Sequence, residues 1–443
     1  MTSTLRAGAA QTVITPPVGV HLEGYTPMPQ STAIHDDLHA RALVVDDGRA
    51  QAAIVSCDLI GISRALGQSV RVIASRATGI PADHIMVCAT HTHMGPAILL
   101  PDPGDPPIAD AVAQQIAGAI VRAHAGMRPA VLKAGRGSVD SVSQNRRHPD
   151  WQIDDTLQVL LFDDPEPRNA PIASIVNFAC HATIMYRTNH EISADYPGYA
   201  VRAVQAILGH APVLFLNGAC GDVNPAWIEQ RFEEAERVGS IVGAEAARRL
   251  QELRPLGAQH KVWSIRWDEL TDKPVTSGAL LEPRVRVARR EIDVRIRALD
   301  APATYQAELD ALRDEVAALA VDRMEDRRRL MERITFLQGT AGMARVLRPN
   351  TLKAEVQALS FGRDHAIVAL PGEFFASTGR AIRDAAAIGH AMIACYANHH
   401  LMYVVPRDAW AQGGYEPGVS ILDQDAEEAF REAAIDLVRE VAT

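Results

Sequence analysis

From Ala9 to about Leu253, short apolar runs rich in β-branched residues alternate with longer stretches whose apolar positions recur every three or four residues. Ala52 to Cys57, Ile85 to Ala89, Ala130 to Ala134, Leu157 to Phe162, Ile172 to Phe178 and Pro212 to Leu216 predict strands. Leu66 to Ala74, Ala109 to Ala123, Tyr199 to Leu208 and Glu233 to Leu250 predict helices, the last stopping near Arg254-Pro255 because proline cannot continue it. This alternation predicts an α/β fold with a central mixed sheet flanked by helices. The polar words of the sequence follow the predicted strands, where open α/β sheets place their sites.

Between residues 280 and 347 the text becomes strongly charged and helix-favouring, with Asp300-Ala-Pro302 dividing it into two arms. Leu309, Leu312, Val316 and Leu319 follow a heptad-like spacing, which predicts an inserted helical hairpin packed on the main body or on a second copy of the chain. A homo-oligomer through this insertion is therefore an open expectation, and Arg327-Arg328-Arg329 reads as a solvated face. Strand patterns return at Leu352 to Phe361, Ala366 to Leu370 and Met392 to Tyr396, and Asp425 to Val438 reads as a terminal amphipathic helix. The predicted division is a body of residues 1–279 and 348–443 with a helical insertion at 280–347.

At 443 residues with 47% hydrophobic content, the chain is long enough for a large buried core. Its 54 acidic and 44 basic residues leave a net charge of -10, which argues against nucleic acid as a partner. Cys57, Cys88, Cys180, Cys220 and Cys395 are odd in number and mostly set in apolar runs, so buried reduced thiols are expected rather than a disulfide framework. The first residues lack an apolar leader, and no uncharged run approaches the roughly 20 residues that span a bilayer. The reading is a cytoplasmic protein without stable membrane anchoring.

Five words carry chemistry. Ala89-Thr90-His91-Thr92-His93-Met94-Gly95-Pro96 leaves an apolar strand with two imidazoles two residues apart. On an extended backbone these project to one side, which suits two metal ligands, or one ligand beside a general acid/base, or two histidines bonded to backbone. Asn177-Phe178-Ala179-Cys180-His181 delivers another histidine, either a ligand or a satisfied core residue. The following Ser193-Ala194-Asp195 fits a helix start. Asn217-Gly218-Ala219-Cys220-Gly221-Asp222-Val223-Asn224 reads chiefly as a tight loop bracing a site, with metal ligation by Asp222 the alternative. Pro371-Gly372-Glu373 presents a carboxylate for a metal or for a helix dipole. The last word, from Tyr403 to Tyr415, places two phenols among glycines and prolines, where each also suits a hydrophobic cap.

In this order the words resemble the catalytic domain of the neutral ceramidase family, with its His-Thr-His-Ser-Gly-Pro, Phe-Ala-x-His, Ser-Ala-Asp-Tyr-Pro-Gly, Asn-Gly-x-x-Gly-Asp, Pro-Gly-Glu-Phe and Tyr-Glu-Gly signatures. The opening Gly8-Ala-Ala, Ile14-Thr-Pro-Pro, Gly24-Tyr25 and His39-Ala-Arg-Ala-Leu43 are similar to that family too. The resemblance covers residues 7 to 425. It implies one zinc held by His91, His181, Glu373 and Tyr403, with His93 as catalytic histidine, Tyr415 as transition-state donor and Arg146 as substrate-contacting residue. Attack by zinc-bound hydroxide on an amide carbonyl would follow.

Three departures bear on substrate. The chain stops soon after the tyrosine words, without the family's C-terminal immunoglobulin-like domain. Met94 stands for the usual serine, and Tyr415-Glu-Pro-Gly stands for Tyr-Glu-Gly-Ala. The inserted segment has no recognised counterpart. The expectation is therefore a zinc-dependent amidohydrolase acting on a small soluble N-acyl substrate, with esters or lactones, or ceramide itself, as alternatives. Two further rivals are a non-catalytic metal-bound scaffold and a phosphoester hydrolase with a second metal on Asp58, Asp195 or Asp222.

Overall fold

The computed structural model describes residues 5–99, 105–166, 168–209, 211–254, 259–263, 270–274, 281–320, 323–346 and 350–442. The predicted strands and helices of the first 254 residues are all present within a few residues of their expected ends. Pro255 and the boundary residues 280 and 347 lie outside the described residues.

The mixed α/β architecture is as expected, and its main strands form three larger mixed sheets, beside four two-stranded ladders among the described residues. The first runs in the order Ile85–Ala89, Gln51–Cys57, His39–Asp46, Arg6–Val13, Arg128–Pro129. The second runs Val213–Asn217, Ala173–Phe178, Thr156–Asp163, Val131–Ser138, and the third Pro283–Arg295, Thr351–Gly362, His365–Ala369, His390–Ala394. Each sheet is antiparallel except for one parallel edge pair: Gln51–Cys57 with Ile85–Ala89, Ala173–Phe178 with Val213–Asn217, and His365–Ala369 with His390–Ala394. Those pairs need crossover connections, which is why helices intervene there.

Successive residues of a strand face opposite sides, and the burial follows that period. Leu43, Val45 and Ile54 of the first sheet, Leu160, Phe162 and Leu216 of the second, and Leu359, Phe361 and Ile367 of the third meet in one central core. The opposite faces are buried too. Ala42, Val44 and Val55 pack with Ile116 and Ile120 of the helix Pro106–Ala125, and Val356 and Val368 with Phe430 and Leu437 of the terminal helix Ala426–Ala442. Helices Asp195–Leu208 and Phe232–Glu252 cover the second sheet. They approach closely because Gly239 and Gly243 face them; a Cβ at either would come within 2.6 Å of a backbone oxygen of Tyr196 or Ala200. All five cysteines are buried and free. Among the described residues no helix is long and apolar enough to cross a membrane.

The expected two-armed helical insertion is corrected in its first half. Pro283–Arg295 is a 13-residue strand paired with Thr351–Gly362, not a helical arm. Val285 with Val287 and Ile292 with Val294 each alternate with a charged position, but the two pairs fall in opposite phase, and the arginines between them obscured the pattern. The helical hairpin lies after the Asp300-Ala-Pro302 break, as Pro302–Ala318 and Met324–Val346. Leu309 and Leu312 pack on Ile334, Leu337 and Ala341 of the second helix, so the stripe that offered itself to another subunit is occupied within the chain. That second helix packs in turn on the short helix Tyr415–Val419.

The third sheet carries a histidine that cannot be protonated cheaply. His365 is fully buried, stacked 6.3 Å from the Phe361 ring, and neither ring nitrogen has a hydrogen-bond partner. Burial pushes it from 6.5 down to about 3. The unfolded chain therefore binds a proton more readily, so the stability this neutral imidazole contributes is complete above about pH 6.5 and is lost as pH falls toward 3. Urea midpoints measured from pH 8 to pH 4 on metal-free protein should fall below pH 6.5, and His365→Leu should flatten that decline.

Candidate active site

Three carboxyl-terminal strand exits, one from each parallel pair, meet at Asn217. Its side-chain amide donates to the carbonyls of Thr90 and Cys180, each at 3.0 Å, while its backbone carbonyl accepts from Cys395 N at 2.9 Å. Its Oδ1 accepts from Cys180 N at 3.3 Å. Asn217 is fully buried, so these bonds are not in competition with water. One residue thus ties the exits bearing His91, His181 and Tyr396 together.

The first exit does not run extended, contrary to the sequence reading. His91 has φ +71°, a left-handed conformation uncommon for a side-chain-bearing residue, held by bonds from Thr90 N to Cys57 O and His91 N to Leu59 O. The two imidazoles still converge, with His93 Nε2 3.2 Å from His91 Nε2 and the rings edge to face. His93 is held on its other side by Gly24 and Tyr25. The Tyr25 ring lies 5.2 Å away, and Gly24, at φ +129°, leaves room no other residue would: a Cβ there would sit 2.2 Å from His93 Nδ1.

His181 arrives from the exit of the second sheet, and Glu373 from the short ladder of Glu373–Phe374 with Tyr403–Val404 that follows the third. His181 Nε2 lies 3.2 Å and His91 Nε2 3.5 Å from the same oxygen, Glu373 Oε2. The ligating atoms of His91, His93 and His181 all fall within 4.8 Å of one another. Tyr403 pairs in parallel register with Glu373, which puts both side chains on one side of that short ladder. Arg146 donates to the Tyr403 hydroxyl at 3.0 Å and to Glu416 Oε1 at 2.8 Å; its Nη1 has only Asn224 Oδ1 at 3.5 Å. Arg147 pairs with the other Glu416 oxygen. Tyr415, 54% exposed, stands with its ring 5.7 Å from that of Tyr403 and over the Arg146 guanidinium. The structure thus brings together all seven residues singled out from the sequence.

The hydrogen-bond chemistry of the cluster is unbalanced. His91 Nδ1 faces Ile60 O at 2.7 Å, and His181 Nδ1 faces Cys220 O at 2.6 Å. A carbonyl only accepts, so each Nδ1 carries the proton and each Nε2 presents a lone pair. Those two lone pairs point at a carboxylate oxygen. Burial tends to raise the Glu373 carboxyl, but the imidazoles of His91, His181 and His400 hold it well below the usual range, so it is ionised. Burial pushes His91 down to about 4, so an extra proton is not held there at neutral pH. Three acceptors converging in a buried space fit a cation, and this donor set of imidazole and carboxylate suits a metal.

The carboxylates considered for a second metal are engaged elsewhere. Asp58 pairs with Arg41, Asp222 accepts from Asn145 and Ala376 N, and Asp195 accepts from Tyr196 N and Met185 N. Asp222 braces the loop as its sequence suggested. Two aromatic residues that sequence reasoning passed over belong to the site. Tyr396 stacks on His91 at 3.8 Å, and His400 faces Glu373 Oε1 at 3.6 Å. A paired His399-His400 three residues before Tyr403 was the available signal.

Residues 6–213 match the model of the neutral/alkaline non-lysosomal ceramidase family, N-terminal region. Just under half of the chain, 208 of its 443 residues, is thus similar to this ceramidase family. The matched part carries His91, His93, Arg146 and His181, while Glu373, Tyr403 and Tyr415 lie beyond it. The chain is 31% identical over 208 residues to the neutral ceramidase of Pseudomonas aeruginosa and 30% identical over 213 residues to neutral ceramidase B of Dictyostelium discoideum. Each alignment covers 41% of this chain but only 30% and 29% of those relatives' lengths. The crystal structure of the Pseudomonas enzyme superposes on 99% of this chain and 74% of its own, with a TM-score of 0.74 at 20% identity, which establishes the common fold.

Loss of the Asn217 side chain should loosen the whole assembly. In Asn217→Leu the Thr90 carbonyl and the Cys180 amide lose their partner, at about 1–3 kcal/mol for each buried group. Chemical denaturation should show a loss of about 2–6 kcal/mol. A change below about 1 kcal/mol would show that Asn217 is not a tie.

Proposed function

We propose that this chain is a zinc-dependent hydrolase that cleaves the amide C–N bond of an N-acyl substrate, with one zinc per chain. The observation that carries the reading is the meeting of two Nε2 lone pairs with Glu373 Oε2 in a buried cluster. His91, His181, Glu373 and Tyr403 would hold the metal. When bound, zinc supplies Lewis acidity to the attacking water and the scissile carbonyl.

The protein's own groups manage the rest. His93, whose pKa burial and the neighbouring imidazoles push well below the ordinary value, is neutral and takes the proton of the attacking water at Nε2, then delivers it to the departing nitrogen. The Tyr415 hydroxyl donates to the carbonyl oxygen as it gains charge. The Arg146 bonds to Tyr403 and Glu416 fix both tyrosines, and its Nη1, with only the long Asn224 contact, remains for a polar part of the substrate. The ionic wall of Arg146, Arg147 and Glu416 supports a small, soluble amide as substrate. The names of the relatives favour a second reading, in which the N-acyl substrate is ceramide. Five buried free thiols support a cytoplasmic location.

Elemental analysis should give about one zinc per wild-type chain and little in His181→Ala, with hydrolysis of N-acyl amides lost on chelation and restored by zinc. Esters, lactones and ceramide in the same assay decide among the substrate classes. Metal-free protein that keeps full amidase activity would end the proposal. His93→Ala should keep its zinc and lose about 10²–10⁴-fold in kcat; loss of the metal instead would make His93 a ligand. Tyr415→Phe should lower kcat by about 10²–10³-fold at unchanged metal content.

A further inference from the structure

Glu373 offers only one of its oxygens to His91 and His181. The other, Oε1, faces His400 Nε2 at 3.6 Å. The Glu373 carboxylate is buried, so an oxygen without a donor there would lose its hydration without compensation. His400 is itself fixed as a rigid plate. Its ring lies parallel to Tyr396 at 5.9 Å and 16°, and Tyr396 lies parallel to His91 at 3.8 Å and 18°. Gly61 closes against its edge, where a Cβ would come 3.2 Å from His400 Cγ. His400 Nδ1 is buried without a hydrogen-bond partner, so Nε2 is the one nitrogen of this ring that meets a polar group.

We propose that His400 is a positioning residue for Glu373: its Nε2 faces Oε1 at 3.6 Å, within ion-pair reach and just beyond a formed hydrogen bond, so that it draws Oε1 aside and leaves Oε2 to address the metal, and it is held in place by the His91–Tyr396–His400 ring stack. The proposal rests on the metal-binding reading above. Its chemistry is that of an outer partner which fixes a ligand's orientation and sharpens its affinity without touching the metal. A bidentate carboxylate would take up two positions at the metal and crowd out substrate; a held Oε1 prevents that.

The test is a competition titration of zinc against a chromophoric chelator, on wild-type protein, His400→Phe and His400→Gln, with metal-free melting curves on each. His400→Phe keeps a ring for the stack and removes the donor; His400→Gln keeps a donor of comparable reach and removes the ring. Zinc affinity should fall about 10- to 100-fold in His400→Phe and stay within about threefold of wild type in His400→Gln, at one zinc per chain in all three. Wild-type affinity in His400→Phe, or an equal loss in both variants, would overturn the positioning role while leaving the metal site intact. A wild-type protein that binds no zinc would overturn the metal reading and this proposal together. If His400→Phe fails to fold, His400→Gln decides alone, because a tenfold loss there contradicts the positioning role.

Discussion

The site depends on a problem of convergence, solved by hydrogen bonds to a single buried amide. Three sheets pack face to face on one apolar core, but apolar packing is non-directional and cannot by itself set the angle at which strand ends meet. Asn217 supplies direction. Its donors reach the first and second exits and its carbonyl receives an amide from the third, so the imidazoles of His91 and His181 and the ladder bearing Glu373 arrive at fixed relative positions. The strained backbone at His91 belongs to the same arrangement, since a left-handed residue persists only where surrounding bonds determine it. A metal held here would be coupled to tertiary assembly, because its candidate donors come from the exits of the first and second sheets and from the short ladder of Glu373–Phe374 with Tyr403–Val404.

Much of this was legible in the sequence. The strand and helix pattern of the first 254 residues appears as read, because strongly periodic segments dominate local choice. The words that follow strands hold His91, His93, His181, Glu373, Tyr403 and Tyr415, and all of them lie in one region. What could not be read was pairing. The division into three sheets is decided by contacts between residues far apart in sequence, such as Arg295 with Thr351, which no local pattern encodes. The strand Pro283–Arg295 was misread for a different reason: an edge strand rich in arginine presents one charged face to solvent, and charge density masked its alternation.

The geometry of the histidine pair illustrates the limit from another side. A His-x-His on an extended strand meets its target through period two, yet here the chain turns at His91 and the rings meet through the turn. The same sequence word is compatible with both backbones. Arg146 was expected to face a ligand, and its Nε and Nη2 are each engaged within the chain, by Glu416 and Tyr403. The identity of Glu416, next to Tyr415, was visible; its pairing with two consecutive arginines was not.

The helical hairpin leaves and rejoins the body at neighbouring points, since Arg295 and Thr351 face each other as the last partners of their ladder. Adjacent strands lie about 5 Å apart, so the chain could bridge that gap with a turn of a few residues. Nothing in the sheet therefore sets the length of what lies between. The segment is a cassette that descent or engineering can lengthen, trim or replace while the ladder closes beneath it. Among the described residues it is tied to the body at its root, where Arg297 donates to the carbonyls of Pro417 and Gly418, and at its far arm, which rests on the short helix carrying Tyr415. The surface above the Tyr415 helix can thus be reshaped by changes in a segment whose own apolar contacts are made largely within its two helices.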